Sequence, residues 1–204
     1  IPAWSKGAIN SAVSAGLMSG YPDQTFKPAR AITRAEAVAT LDRALAEVAK
    51  PTTFDQAGTY GPATGTETIS GNVVISAAGV TLQNTVITGD LLLAENIGDG
   101  DVHLKNVTVK GNTIVKGGGA HSIVLEDCNL PSITVSKDGV RVVASGNTSV
   151  ETVRLESGAI LVSVTTTGTG FDTVTISQIV PAEAAITLEG NFETAQVAAA
   201  GVQV

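Results

Sequence analysis

At 204 residues, with 43% hydrophobic but only 3% aromatic residues and 22 glycines, the chain has the composition of small repeated coils with tight corners rather than of a large globular core. A net charge of −7 with no cluster of Lys or Arg argues against nucleic acid and anionic membrane surfaces as partners. No apolar run reaches the roughly eighteen residues of a membrane span, and a lone cysteine, Cys128, excludes an internal disulfide framework.

The chain opens at Ile1 without a signal peptide, as a mature or trimmed exported chain would. Ala8, Ile9, Ala12, Val13 and Leu17 fall at helical spacing after Trp4, and Gly16-Leu17 ends the run, which predicts a first helix of about a dozen residues. In the loop Gly20-Tyr21-Pro22-Asp23-Gln24-Thr25-Phe26, Pro22 presets a turn dihedral and Asp23 can bond the backbone two residues on. Tyr21 and Phe26 are expected to fold back on the helices. A second helix starts at a capping box, with Thr33 as N-cap and Glu36 reaching back to its amide. Val38, Leu41, Leu45 and Val48 then repeat on one face, with Arg43 and Glu47 on the other, until Lys50-Pro51.

These landmarks resemble a known family. Trp4, Ala8-Ile9, Gly16-Leu17, Gly20-Tyr21-Pro22-Asp23, Thr25-Phe26, Pro28, Ile32-Thr33-Arg34-Ala35-Glu36, Leu41 and Arg43 together look like one S-layer homology (SLH) repeat, covering Ile1 to about Ala46. In that family three such repeats usually form a spindle whose grooves bind a pyruvylated cell-wall polysaccharide. The resemblance implies that Arg34 meets the charged sugar while Trp4, Gly20, Tyr21 and Asp23 line the groove. Only one repeat is present, and the loop reads Asp23-Gln24 where the family commonly has Asp-Gly.

From Pro51 to Gly65 the composition shifts to Thr, Gly and Pro, a connector, and residues 67 to 79 read as an incomplete first coil. The phrase VTLQNTVITGD from Val80 then returns as VHLKNVTVKGN from Val102. Further copies begin at Ile123, Val140, Ile160, Ile186 and Val202, giving a period near twenty residues. Each opens on alternating apolar positions: Val80/Leu82, Val102/Leu104, Ile123/Leu125, Val140/Val142, Ile160/Val162, Ile186/Leu188 and Val202/Val204. A second alternating run follows, as in Val86 with Thr88, Val107 with Val109 and Val174 with Ile176, and Gly-Asp or Gly-Asn separates the runs. The pattern predicts a mainly β fold: a right-handed parallel β-helix of about six coils over residues 51–204, behind a two-helix module at 1–50. Asn84, Asn106 and Asp127 share a template position and predict a polar ladder at a corner. The resemblance extends, more loosely, to the β-helical segments that accompany SLH repeats in bacterial surface proteins.

Catalytic chemistry is not assembled by this pattern. β-Helical lyases and hydrolases use paired carboxylates, or Ca2+ with a basic residue, on neighbouring coils, whereas Asp90, Glu126, Asp127, Glu151 and Glu156 sit at differing template positions. Asp99-Gly100-Asp101 offers two carboxylates to Ca2+, a weak signal, and His103 and His121 share no ligand spacing with a second His or Cys, so no cofactor is expected. Val202, Gln203 and Val204 start a new coil with the right alternation, and so form an expected assembly end to which other copies of the chain could stack. The sequence thus points to a non-enzymatic structural protein at the extracellular face of a bacterial cell, assembling as a homo-oligomer or polymer and attached to pyruvylated wall polysaccharide. The alternatives are a wall-anchored polysaccharide lyase or hydrolase and a plain glycan-binding module.

Overall fold

The computed structural model of the chain describes all residues apart from 1, 2, 22–24, 26, 28, 49, 165 and 166, with the backbone alone at 3, 4 and 46–48. The chain divides into two compact units, Ile1–Lys50 and Pro51–Val204.

In the first unit, α1 spans Ala3–Ser14 and α2 spans Arg34–Val48. The first helix stops because Gly16 adopts φ 71°, a left-handed conformation that costs glycine little. Its amide bonds the carbonyl of Val13 at 3.0 Å while Leu17 reaches back to Ala12 at 3.0 Å, the double bond of a Schellman end. The helix has the dozen residues expected, and Gly16-Leu17 ends it. On α2 the predicted apolar face forms but does not find a core, since Val38, Leu41 and Leu45 are 65%, 63% and 69% exposed.

The second unit is a parallel β-solenoid of about seven turns. Its strands, among the described residues, all pair in parallel within one sheet wound on itself. Three strand stacks make its faces. The first runs Gly58–Tyr60, 80–82, 102–104, Val124–Glu126, Val140–Ser145, Ala159–Val164 and Ile186–Glu189. A second begins at Glu67–Ile69 and continues through 85–87 and 107–109. The third begins at Thr52–Phe54 and passes through Val73–Ile75, Leu91–Leu93 and Asn112–Val115. In the later coils Asn129–Val135, Ser149–Leu155, Gly170–Ile176 and Phe192–Val197 each run on through both the second and third faces.

Alternation turns like residues onto one another and fills the interior with columns. On the third face Phe54, Ile75, Leu93, Val115, Val135, Leu155, Ile176 and Val197 stand in line. On the first, Leu82, Leu104 and Leu125 are successive and almost wholly buried. Columns of this kind account for the abundance of Val, Ile and Leu and the small need for aromatic residues.

The expected polar ladder is present and turns the corner between the first two faces. Asn84, Asn106 and Asp127 have φ of 51°, 52° and 55°, and the Asn106 side-chain amide donates to Asn84 Oδ1 at 2.7 Å. Asp127 Oδ1 accepts the backbone amide of Asn147 at 2.7 Å, carrying the ladder upward with different atoms. A second ladder at the Gly-Asx corners links Asn72 Oδ1 to the amide of Asp90 at 2.9 Å, and Asp90 Oδ1 to that of Asn112 at 2.7 Å.

Several expectations of register shift. Residues 52–69 hold three strands and complete a first coil, so what read as connector and partial coil is structural, and the turns number about seven rather than six. In the second run at 85–87 the inward residues are Thr85 and Ile87, not Val86 and Thr88, because the left-handed Asn84 resets the alternation. Ile123 is buried but precedes its strand at φ 64°, and Leu125 pairs with Ala144 rather than Val142. The glycine-rich turn before it displaces the coil, with Arg141 N–H donating to the carbonyl of Gly119 at 3.0 Å. At 159–164 the register moves by one: Ala159 and Leu161 stand in line with Val140 and Val142, and Ile160 pairs with Arg141. Gly158 fixes that start, since a Cβ there would lie 2.9 Å from the Ala185 carbonyl oxygen. Gln203 bridges to Ala185, with Val202 half-buried and Val204 65% exposed.

Candidate functional site

The cleft with the most concentrated chemistry lies in the first unit, between the loop after α1 and the first three turns of α2. It encloses about 330 Å3 and is lined by residues of the loop, Gly20, Tyr21, Lys27 and Arg30 among them, and by Glu36, Thr40 and Arg43 of α2. Positions 36, 40 and 43 recur at helical spacing, so they fall on one face of α2. The loop is closed by the Tyr21 amide donating to the Thr25 carbonyl at 2.8 Å and by Arg30 N–H donating to Lys27 O at 3.0 Å.

Glu36 is the hub. Its Oε2 accepts the Thr33 amide at 2.8 Å and the Thr33 hydroxyl at 2.8 Å, and its own amide donates to Thr33 Oγ1 at 3.2 Å, the reciprocal bonding of a capping box. Its Oε1 accepts the Tyr21 hydroxyl at 3.3 Å, tying the loop to the helix start. The Thr33 amide and hydroxyl, with Arg30 and Tyr21 nearby, hold the Glu36 carboxyl below the usual carboxylate range. Over the Tyr21 ring sit Lys27 Nζ, 5.1 Å from the centroid, and Arg30 Cζ, 4.8 Å away. Each contact is worth about 0.5–1 kcal/mol at an exposed site. The cleft therefore gathers Lys27, Arg30 and Arg43 against the single carboxylate of Glu36 among its described residues.

Of the residues expected to bind a glycan or partner, Gly20 and Tyr21 line this cleft. A Cβ at Gly20 would lie 3.1 Å from the Thr25 carbonyl oxygen, so the bare backbone lets the loop close. Arg34 sits exposed in the first turn of α2 and is not among the lining residues. Asp23 and the side chain of Trp4 lie outside the described residues. Lys27, Arg30 and Arg43 are not among the expected site residues; the spacing of seven between Glu36 and Arg43, two helical turns, is the signal that could have placed Arg43 on the same face. On the solenoid, Asp99 pairs with Lys137 Nζ at 3.0 Å, and no group of three His, Cys, Asp or Glu able to hold a metal occurs among the described residues. Val202, Gln203 and Val204, the expected assembly end, continue the solenoid through the bridge of Gln203 to Ala185.

A capped two-helix module with a cation-lined cleft, carried in one chain with a long parallel β-solenoid, is the class of molecule defined by fold and site. Residues 1–38 match the S-layer homology domain, and the chain carries that domain at its N-terminal end. Over 42 residues, 21% of its length, it is 45% identical to a cellulosome-anchoring protein of Acetivibrio thermocellus. Also over 42 residues, it is 50% identical to cell surface glycoprotein 1 of the same organism. These matches span 9% and 2% of the two relatives. No solved structure matches the chain. Among the described residues no helix is long and apolar enough to cross a membrane.

Proposed function

We propose that this chain is a structural, non-catalytic protein of the bacterial cell surface, held at the wall through its S-layer homology domain, with the β-solenoid as a rigid extended element outside the cell. The observation that carries the reading is the match of residues 1–38 to a domain shared with proteins named for anchoring and for the cell surface. The solenoid supports it in a second way: many of its outward polar groups are spent on one another. Ser136 Oγ donates to Glu156 Oε2 at 3.0 Å, Arg154 donates to Glu156 at 2.9 Å and to Ser177 Oγ at 2.8 Å, and the Asn and Asp ladders bind coil to coil. Side chains so engaged stiffen a surface. The wall ligand is a polysaccharide, and association with further copies of the chain completes the reading, supported by the exposed Val38, Leu41 and Leu45 on α2.

The test is sedimentation of the chain with isolated Gram-positive-type cell walls before and after the wall polysaccharide is chemically stripped. Binding to intact walls and loss from stripped walls is expected; equal binding to both, or to neither, would overturn the attachment. Light scattering against concentration tests the self-association.

A further inference from the structure

We infer that the open mouth of the solenoid's first coil docks on the mouth of a second copy, the two coils pairing about a two-fold axis that sets Thr53 opposite Thr53. The inference rests on the reading that copies of the chain associate, and it names the surface through which they do so. The first coil consists of Thr52–Phe54, Gly58–Tyr60 and Glu67–Ile69. Among the described residues each of these strands pairs on one side alone, with the second coil. Thr52 N–H donates to the Asn72 carbonyl and Ser76 N–H to that of Phe54, both at 2.9 Å, while Gly58 N–H donates to the Gly79 carbonyl and Thr88 N–H to that of Ile69, each at 3.1 Å. Successive residues of a strand turn their backbone groups to opposite sides. The N–H and C=O of Thr53, Thr59 and Thr68 therefore face away from the second coil, and three unpaired edges ring the mouth.

Inside that ring lies a cavity of about 380 Å3, walled by Phe54, Tyr60 and Ile69, floored by Leu82 and Thr85, and bordered by Glu67. Phe54, Tyr60 and Ile69 are half-buried at the start of the core columns, and the two rings lie 4.5 Å apart. The mouth thus combines open strand edges with an open core. A single added strand satisfies one edge, whereas a coil of the same perimeter satisfies all three, and a second copy carries that coil. Two mouths brought face to face run their strands in opposite directions, which gives antiparallel pairing in an isologous contact. Glu67 selects the axis. It stands in the inward row of Thr85 and Val107, so an axis through 67–69 would oppose two such carboxylates, and one through 58–60 would set Glu67 beside Asp55; like charges so placed are destabilising. The axis through 52–54 instead lays Glu67 across from Tyr60 of the second copy. The charge of Glu67 is then left without a partner at the edge of an apolar cavity, and it limits the affinity.

Disulfide trapping of Thr53→Cys tests the contact on the whole chain, because the native Cys128 is buried and stays out of the reaction. Residues opposed across an antiparallel pair lie about 5.5 Å apart, within disulfide reach. Mild oxidation is expected to convert Thr53→Cys to a linked dimer and nothing larger, whereas Thr187→Cys, also at an exposed position of the solenoid, should stay largely unlinked. In sedimentation velocity Glu67→Gln should tighten the dimer about tenfold, and Thr53→Pro, which removes an edge N–H, should weaken it by about that factor, since one hydrogen bond or one stranded charge is worth roughly as much. Circular dichroism establishes that each variant is folded. Equal linking of Thr53→Cys and Thr187→Cys, or a dimer unchanged by both Glu67→Gln and Thr53→Pro, would overturn the mouth contact. If Leu41→Gln abolishes such a dimer, copies associate through α2, so that association survives and the mouth contact falls. A chain that stays monomeric in every variant overturns both, while wall binding is measured separately by sedimentation with cell walls.

Discussion

Replacing Thr113 with Val should stabilise the solenoid, although it removes a hydroxyl. Thr113 is 1% exposed and stands in a column between Leu91 and Ile133, and its Oγ1 has no hydrogen-bond partner. A buried, unpaired hydroxyl costs about 1–3 kcal/mol in lost solvation. Val has nearly the same shape and puts a methyl group where the hydroxyl was. A gain of about 1–2 kcal/mol is therefore expected, or several degrees in Tm for a chain of this size. Thr85 supplies the control. It is 0% exposed, but its hydroxyl donates to the Gln83 carbonyl at 2.7 Å. Thr85→Val should lose about 1 kcal/mol because it strands that carbonyl. The same substitution on neighbouring stacks should thus move the guanidinium midpoint in opposite directions. Equal signs for the two variants, or a loss of more than about half a kcal/mol at Thr113, would refute the account and point to a water bound at Oγ1.

Leu125→Ala truncates the last member of a three-leucine column at a site 1% exposed, and should cost about 2–5 kcal/mol in chemical denaturation; a change of a few tenths would mean the leucines do not face inward. Cys128 is buried and its thiol pushed up to about 12 by that burial. It should resist dithionitrobenzoate at pH 8 and react only as fast as the solenoid unfolds, so a prompt reaction on the native chain would contradict the packing. For Glu36 the folded-state carboxyl lies below its ordinary 4.5, so the stability it gives α2 is present above that value and lost as pH falls through the lower folded one. A carbon-detected NMR titration should place its midpoint under 4.5; a midpoint at or above it removes the capping box as the cause.

How much of this was legible follows from the kind of signal each feature leaves. The repeat was visible because side chains in equivalent rungs occupy equivalent space: Val80 and Leu82 meet Val102 and Leu104 residue for residue. Where the coil length departs from twenty-two residues, the template loses the register: it gives Ile160 and Val162 the places that Ala159 and Leu161 hold. Nothing in a two-residue alternation says where it starts; the corner does, and here the corner is Gly158 against the Ala185 backbone. The capping box at Thr33 and Glu36 was equally plain, since it is a local bond with a fixed spacing. The cleft was not, because Lys27 and Arg30 reach Tyr21 through an irregular loop with no period to read. Residues 52–69 fall inside the expected β-helix but read only as connector and partial coil: three strands of three residues each are too short to show alternation, and they become strands only because residues 73–75, 80–82 and 85–87 offer them a partner.

The Gly-Asx dipeptides show how sequence economy and stability meet in this solenoid. At each such corner the side chain of Asn72 or Asp90 has to reach the amide of the next coil, and the backbone of that next coil has to come within hydrogen-bond range. A Cβ at Gly89 would lie 2.3 Å from Asn72 Oδ1, and one at Gly111 would lie 2.3 Å from Asp90 Oδ1. The glycine thus makes room for the carboxamide or carboxylate of the coil below, while its own neighbour supplies the acceptor for the coil above. Gly89 N–H also donates to the Gly71 carbonyl and Gly111 N–H to that of Gly89, at 3.0 and 3.1 Å. The amides of Gly89, Asp90, Gly111 and Asn112 are thus each satisfied by the adjacent coil. A chain with one cysteine and few aromatic residues can therefore hold a long solenoid together by repeating a two-residue device, and the bonds that set its register are the same ones that join each coil to the next.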